Sequence, residues 1–445
     1  VGRFNEELHL SFGERAIGLL GIGAVLLVAY LLSYDRRRIP WRLVATGLLL
    51  QAAFGLVVLK SPPGRFFFER VGAVVNGLLG FVNEGSSFVF GNLIGSTVPV
   101  GIPGPGETLD AGAGLVARTG ALMAFGVLPT IIFFSSLMSV LYYLGVMQWV
   151  VKGLAWIMQR TLRTSGAETL SASGNIFLGQ TEAPLLIKPF VARATPSELM
   201  TIMVGGFATV AGGVMAAYVA LLQGYLPHIA GHLLAGSVMN APAGLMLSKM
   251  IRPEDGVPET RDSLHVAVER TDSNVIEAAA NGAAMGVTLA LNVGGMLIAF
   301  LALVAMLNFG IAWMGGLAGH PELTLQVLLG QVLRPLVWLA GVPWRDTAYV
   351  GGLIGVKAVL NEFVAYARFA QDLSSGSISI SPRAAIVAAY ALLGFANLGS
   401  IGIQIGGIGG IAPARRGELA RFGLRAMAAG NLAAFLSACW AGMML

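Results

Sequence analysis

Long windows free of charge alternate along this chain with short stretches rich in arginine. Seven such windows run at 16–34, 43–59, 119–151, 199–248, 278–321, 384–414 and 426–445. About 20 apolar residues cross the hydrocarbon core of a bilayer as a helix. Each window therefore predicts one crossing, except 199–248, which is long enough for two helices split near Pro227-His228. The pattern predicts eight crossings. Stretch 71–106 is interrupted by Glu84 and by Pro99, Pro103 and Pro105, and reads as an interfacial helix plus a loop rather than a further span.

Basic residues then orient the windows. Arg36, Arg37, Arg38 and Arg42 follow the first crossing, and Lys152, Arg160 and Arg163 follow the third. Lys249, Arg252, Arg261 and Arg270 follow the fifth, and Arg415, Arg416 and Arg421 follow the seventh. The positive-inside rule puts all four clusters on the cytoplasmic side and both termini outside, with Lys60, Arg65 and Arg70 running against it. Parity has a consequence. Segment 170–198 must leave the cytoplasmic face and return to it, yet it is apolar, holds Pro184 and Pro189, and is too short to cross twice. That describes a re-entrant hairpin, which membrane depth tolerates only where protein or a watery cavity satisfies its backbone. The same count makes 348–372 a hairpin entering from the opposite face. After the first hairpin comes Gly206-Phe207-Ala208-Thr209, and after the second Gly394-Phe395-Ala396-Asn397. Hairpin followed by broken helix, twice and in opposite senses, predicts an inverted repeat of the kind that brings discontinuous helices to a midplane site.

Composition narrows the classes. Hydrophobic residues make up 56% of the 445 and charged residues 11%, against about 25% charged in soluble domains. The chain is an all-α polytopic membrane protein on this reading, with the bilayer as its first partner. Its formal charge of +5 reflects topology rather than nucleic-acid binding. One cysteine, Cys439, leaves no intrachain disulfide, and the five histidines show no metal-ligand spacing. The arginines follow the first apolar run instead of preceding it, so no cleavable signal peptide is expected. No His-Glu-x-x-His pattern or nucleophile elbow points to an enzyme.

Two hexapeptides carry the expected chemistry: Gly179 to Pro184, with Gln180, Thr181 and Glu182, and Asn361 to Tyr366, with Glu362. A charge at mid-bilayer costs roughly 2.5–3.5 kcal/mol on insertion scales, so such acids mark substrate or ion sites. The plain alternatives are ion pairs, of Glu182 with Lys188 and of Glu362 with Lys357 or Arg368. Both acids are expected to face one watery cavity. Asn397 and Ser400 would share a helix face, as a site or as an interhelical bond. Asn175 and Thr209 are hard oxygen donors that suit a small alkali cation or ordinary packing contacts. Phe395 could stack on an aromatic substrate or fill core. Asn281 and Asn292 are expected to bond between helices, and the glycines of 406–410 to serve packing or flexibility.

Taken together, Gln180-Thr181-Glu182-Ala183-Pro184, Asn361-Glu362-Phe363-Val364-Ala365-Tyr366 and the Asn397/Ser400 pair resemble the bacterial concentrative nucleoside transporters. The likeness is strong over 170–405 and extends through the hydrophobic layout to nearly the whole chain. It implies eight transmembrane helices, two opposed re-entrant hairpins, a homotrimer in the bacterial inner membrane, and an elevator mechanism with scaffold and transport domains. The corresponding division is 1–115 for the N-terminal helices, 116–170 and 276–346 for scaffold segments, and 171–275 and 347–445 for the two transport repeats. By the same resemblance Gln180, Thr181 and Glu182 meet the nucleobase, Glu362, Asn397 and Ser400 hold the ribose hydroxyls, and Phe395 and Val214 supply apolar contacts. Asn175 and Thr209, with the carbonyls of Leu178 and Val210, match a sodium site, which implies sodium-driven import of nucleosides such as uridine. Proton coupling through Glu182 or Glu362 is the alternative within transport.

Overall fold

A computed structural model describes residues 12–95, 97–99, 102–103, 109–110, 116–118, 123–226, 228–261 and 272–444. Pro105, Pro227 and Arg270 of the sequence reading fall outside them, as do both chain ends.

The windows become helices, with boundaries set by capping chemistry. Helices α1 (Phe12–Leu32) and α2 (Trp41–Leu59) flank the turn Arg36–Arg38, which Asp35 caps. The interfacial segment is a helix that begins at Pro62 rather than at 71: in α3 (Pro62–Phe90) the Ser61 side chain accepts from Gly64 N, and proline suits a first turn. It stops at Gly91, whose φ is +57°. Beyond it the backbone makes two short antiparallel ladders, Thr97–Pro99 with Val116–Arg118 and Ile102–Pro103 with Leu109–Asp110. The 119–151 window splits, because Gly145 at φ +83° turns the chain between α4 (Leu128–Tyr143) and α5 (Val146–Leu162). In α5 Met147, Val151, Ala155, Met158 and Leu162 form one buried stripe. Trp149 and Trp156 stand exposed on the other side, as in a helix lying at a membrane surface.

The first hairpin starts at Gly166, before the expected 170, since Ser165 and Glu168 form a reciprocal cap. It comprises α6 (Gly166–Gly174), a loop, a tight turn over Ala183–Ile187 and α7 (Lys188–Val191). The next crossing is broken into α8 (Pro196–Ala208) and α9 (Gly212–Leu222), and α10 (Ile229–Ile251) follows. A 43-residue helix, α11 (Val275–Leu317), packs along α4. Then come α12 (Leu325–Leu339) and the second hairpin, α13 (Thr347–Val359) and α14 (Glu362–Ser375). The second broken crossing, α15 (Pro382–Leu392) and α16 (Leu398–Ile411), precedes α17 (Arg416–Met444). Among the described residues, six stretches are long and apolar enough to span a bilayer. The more polar α10 and the paired halves α15 and α16 complete the eight. Asn281 bonds to Asp272 near the start of its own helix, not to another crossing, and Asn292 is exposed.

Burial separates two groups of helices. The α8–α9 window is 83% buried and that of α17 72%, whereas those of α4 and α11 are 28% and 22% buried. The broken helices and α17 form the centre, and α4 and α11 turn apolar faces outward. The root of the first hairpin is tied to that centre by ions. Lys249 Nζ on α10 lies 2.8 Å from Glu168 and 3.0 Å from Glu254, and Ser165 donates to Glu198 on α8.

The two breaks meet. Gly394 adopts φ +100°, and a Cβ there would lie 2.6 Å from Phe207 O and 2.8 Å from Ala208 O. Phe395 N donates to Thr209 O at 3.3 Å. Each break is also held by an asparagine from the crossing that follows it. Asn240 on α10 donates to Ala208 O at 2.7 Å, and Asn431 on α17 donates to Ala396 O at 2.8 Å. Ala208 and Ala396 are the matching third residues of the two Gly-Phe-Ala motifs, so the inverted repeat extends to its hydrogen bonds. A side chain at Gly394 would force these breaks apart. Gly394→Ala is expected to lower stability by about 1–3 kcal/mol, while Gly402→Ala, with open space around it, leaves it unchanged; thermal unfolding in detergent reads both.

Candidate functional site

Both hairpin tips, the second break and the helices α9 and α16 deliver polar side chains to one place. Asn361 caps α14 by accepting from Val364 N at 2.8 Å, which seats Glu362 in the first turn, buried. Tyr218 on α9 donates to Glu362 Oε1 at 3.0 Å, and Asn397 donates to Glu362 Oε2 at 3.1 Å. Asn397 in turn caps α16, accepting from Ser400 N at 2.9 Å. From the first hairpin, Gln180 Nε2 donates to Ser400 Oγ at 3.2 Å. Gln404, one turn beyond Ser400, donates to Gln180 Oε1 and to Met203 O, both at 3.1 Å. The chain of bonds thus runs from α9 through the second hairpin and α16 to the first hairpin and α8. Tyr218 is fixed further by Tyr366, whose ring stacks at 4.3 Å and whose hydroxyl donates to Ala389 O.

Of the expected residues, Gln180, Glu362, Asn397 and Ser400 are therefore joined by direct bonds. Thr181 packs on Gly407, where a Cβ would lie 2.6 Å from Thr181 Cγ2; this accounts for one glycine of the 406–410 run. Val214 is buried one helical turn before Tyr218, and half-buried Phe395 lies in the second break. Glu182 stands apart. It folds back over Gly179, lies within electrostatic range of Tyr142, and makes no hydrogen bond to the Glu362 network among the described residues. The expectation of one open cavity shared by the two acids gives way to a closed lattice of side chains. Cavities of about 220 and 180 Å³ lie elsewhere, the first between α12 and the second hairpin and the second between α11 and that hairpin.

Neither plain alternative describes the acids. Lys188 is exposed, and no described ion pair joins it to Glu182. Arg368 pairs with Asp372 at 3.6 Å, and Lys357 donates to backbone carbonyls, leaving Glu362 held by neutral donors.

The expected cation ligands converge at the first break. Asn175 lies against Gly205, where a Cβ would be 3.1 Å from its Nδ2, and Thr209 Oγ1 donates to Gly205 O at 2.9 Å. Gly212 N donates to Phe177 O at 2.8 Å, which pins the segment bearing Leu178 to the break bearing Val210. The Asn175 amide donates to Ser171 O, and its Oδ1 is buried and without a donor among the described residues. Thr209 likewise spends its proton on Gly205 O and keeps its lone pairs free. Two acceptors facing one junction, with their donors used elsewhere, suit a hard cation such as sodium.

Sequence reasoning missed Tyr218, Gln404, Asn240 and Asn431. A signal existed for Gln404, since Asn397, Ser400 and Gln404 repeat at helical spacing. Tyr218 is the one hydrogen-bonding side chain of α9.

Comparison with known proteins gives matches over most of the chain. Residues 232–442 match a family model described as the C-terminus of Na+ dependent nucleoside transporters, 20–93 the N-terminus, and 124–224 one described as nucleoside recognition. An uncharacterised transporter of Haemophilus influenzae is 41% identical over 434 residues, covering 96% of this chain and 97% of its own. Sodium/nucleoside cotransporter 1 of Rattus norvegicus is 40% identical over 97% of this chain, and this chain spans 64% of that protein's length. It spans 61% of solute carrier family 28 member 3 of Eptatretus stoutii. Among solved structures, CNTnw in an inward-facing substrate-bound state superposes with a TM-score of 0.84 at 41% identity, covering 97% of this chain and 98% of that one. A double variant of CNTnw in an outward-facing state gives 0.86 over 98% of each.

The Gln180–Ser400 bond bridges the first hairpin and α16. Gln180→Ala and Ser400→Ala are expected to be non-additive in denaturant unfolding by about 0.5–3 kcal/mol, which a double-mutant cycle measures.

Proposed function

The chain belongs to the sodium-dependent nucleoside transporters, and on that premise we propose that it imports nucleosides such as uridine together with sodium, by elevator-type alternating access. The observation that carries this reading is the buried lattice of Tyr218, Glu362, Asn397, Ser400, Gln180 and Gln404, drawn from both hairpins, the second break, α9 and α16. A nucleoside is neutral, with hydroxyl donors on the sugar and a flat, polar base. Glu362 accepts from the ribose hydroxyls beside Asn397 and Ser400, and Gln180, Thr181 and Glu182 meet the base. Val214 and Phe395 supply its apolar contacts. Buried polar atoms are nearly always satisfied, yet Glu182 Oε2 and Gln404 Oε1 have no donor among the described residues. Both acceptors suit a ligand bearing N–H and O–H groups.

Sodium at Asn175, Thr209 and the carbonyls of Leu178 and Val210 would tie the first hairpin to the first break. Substrate contacts on that same hairpin make the two affinities depend on each other, equally in both directions. For the movement, α4, α5, α11 and α12 serve as scaffold, and residues 171–275 and 347–445 form the two moving repeats. The relative CNTnw is known in inward-facing, intermediate and outward-facing states, which favours such a movement here. The exposed apolar face of α11 suits packing of three copies in a bacterial inner membrane, with both termini on the periplasmic side. Proton coupling remains the second reading, and the unpartnered Glu182 carboxylate oxygen is the feature that favours it.

Uptake of labelled uridine into proteoliposomes separates the readings. Replacing external sodium by choline should abolish concentrative uptake, and collapsing a pH gradient should leave it intact; the reverse pattern would establish proton coupling. Glu362→Gln is expected to weaken uridine binding about 10- to 100-fold, and a variant that transports normally would contradict the assignment. Thr209→Val should raise the sodium concentration for half-maximal uptake by about tenfold, with a matching loss in uridine affinity at fixed sodium.

A further inference from the structure

The two halves of the repeat close their broken helices differently. In the first half, α8 ends at Ala208; in its last turn Gly205 O accepts from Thr209 Oγ1, and one turn further back Met203 O accepts from Gln404. Asn175, at the end of the first hairpin helix, lies against Gly205 with Oδ1 unpartnered. Aligning the two Gly-Phe-Ala motifs places Ala391, in the last turn of α15, and Leu393, just past its end, at the positions of Met203 and Gly205. At this second break the carbonyls accept from an amine: Lys357 Nζ donates to Ala391 O at 3.1 Å and to Leu393 O at 2.9 Å. Lys357 sits near the end of α13, the first helix of its own hairpin, as Asn175 does on α6, and it is completely buried.

We propose that the Lys357 ammonium is a tethered cation, taking at the second break the place that an exchangeable alkali ion takes at the first. This rests on the reading of Asn175 and Thr209 as a sodium site. The physical need is the same on both sides. A helix that ends inside the membrane directs unpaired carbonyls, with the negative end of its dipole, into a medium without water. A cation answers both demands at once. An ion from solution makes the closure conditional, whereas an ammonium on the hairpin makes it permanent. The first hairpin is then the half that senses the ion, and the second is locked whatever the salt. Among acids, Glu362 lies within electrostatic range of Lys357. The sugar-binding carboxylate is thereby kept beside a fixed charge instead of an exchangeable one. Lys357 is on this account a positioning residue, acting on the substrate through the second break and Glu362.

The test uses no nucleoside, so it is read independently of transport. Lys357→Asn removes the charge and leaves an amide oxygen like that of Asn175. The purified variant and the unaltered protein are compared in sodium chloride and in choline chloride at equal ionic strength, by hydrogen exchange at the amides of 390–397 and 205–212. In the unaltered protein the second break should be equally protected in both salts. In the variant its exchange should rise about tenfold or more in choline and fall back in sodium, as an ion enters the vacated place. Protection of the second break that ignores sodium in the variant, whether high or low, would overturn the proposal. So would a variant that aggregates in both salts, since the ion could not then replace the ammonium. Sodium sensitivity at 205–212 in the unaltered protein checks the first-half site separately, and its absence would count against the sodium reading rather than against this comparison alone.

Discussion

Backbone carbonyls and amides that lose their helical partners inside a membrane must find new ones within the protein. Every unusual feature of this chain follows from having two such places back to back. Asn240 and Asn431 reach into the breaks from α10 and α17, Thr209 folds its hydroxyl onto Gly205 O, and Lys357 caps the end of α15. Gly394 lets the breaks touch, because any side chain there would strike the carbonyls of Phe207 and Ala208. Unwinding also creates the caps: Asn361 and Asn397 start helices at the site, and the acid next to one cap bonds to the amide of the other. The polar centre is thus a consequence of the break chemistry.

This arrangement explains why two hairpins are needed. A continuous helix has no free termini at mid-membrane and could offer only side chains. Short hairpins bring capped helix starts and ends to that depth, and with them Gln180 and Glu362 from opposite directions. Substrate and ion then act on the same joint. The ion draws the first hairpin to α8, and a nucleoside bridging Gln180 and Glu362 would draw the two hairpins together. Within the protein the same link runs through Ser400, its backbone N–H and the Asn397 side chain.

Much of this was legible in the sequence, and the limits have physical causes. Windows of hydrophobicity located the crossings because a bilayer imposes a fixed thickness. Counting arginines gave the hairpins because parity leaves no other path for 170–198 and 348–372. Boundaries were less readable: the start of α3 at Pro62 and the split at Gly145 depend on caps and turns that hydropathy averages away. The site was read through its acids and amides, which are conspicuous in an apolar chain. Tyr218 is not conspicuous, since a tyrosine is ordinary in such a helix until its partner is known. Asn240 and Asn431 escaped because they act on a backbone atom far along the chain, across loops of different length. Lys357 was weighed as a partner for Glu362, and its real acceptors are carbonyls that exist only once α15 has broken.

The central claim is that hairpin tips and helix breaks make a single binding centre for a nucleoside. A density map of the protein prepared with sodium and uridine tests it most directly. The account predicts the nucleoside between Gln180 and Glu362, with its sugar hydroxyls on Glu362 and Asn397 and its base toward Thr181 and Phe395. Uridine bound elsewhere, for instance in the cavities that α11 and α12 form with the second hairpin, with the Gln180–Ser400–Asn397–Glu362 lattice unchanged, would contradict it.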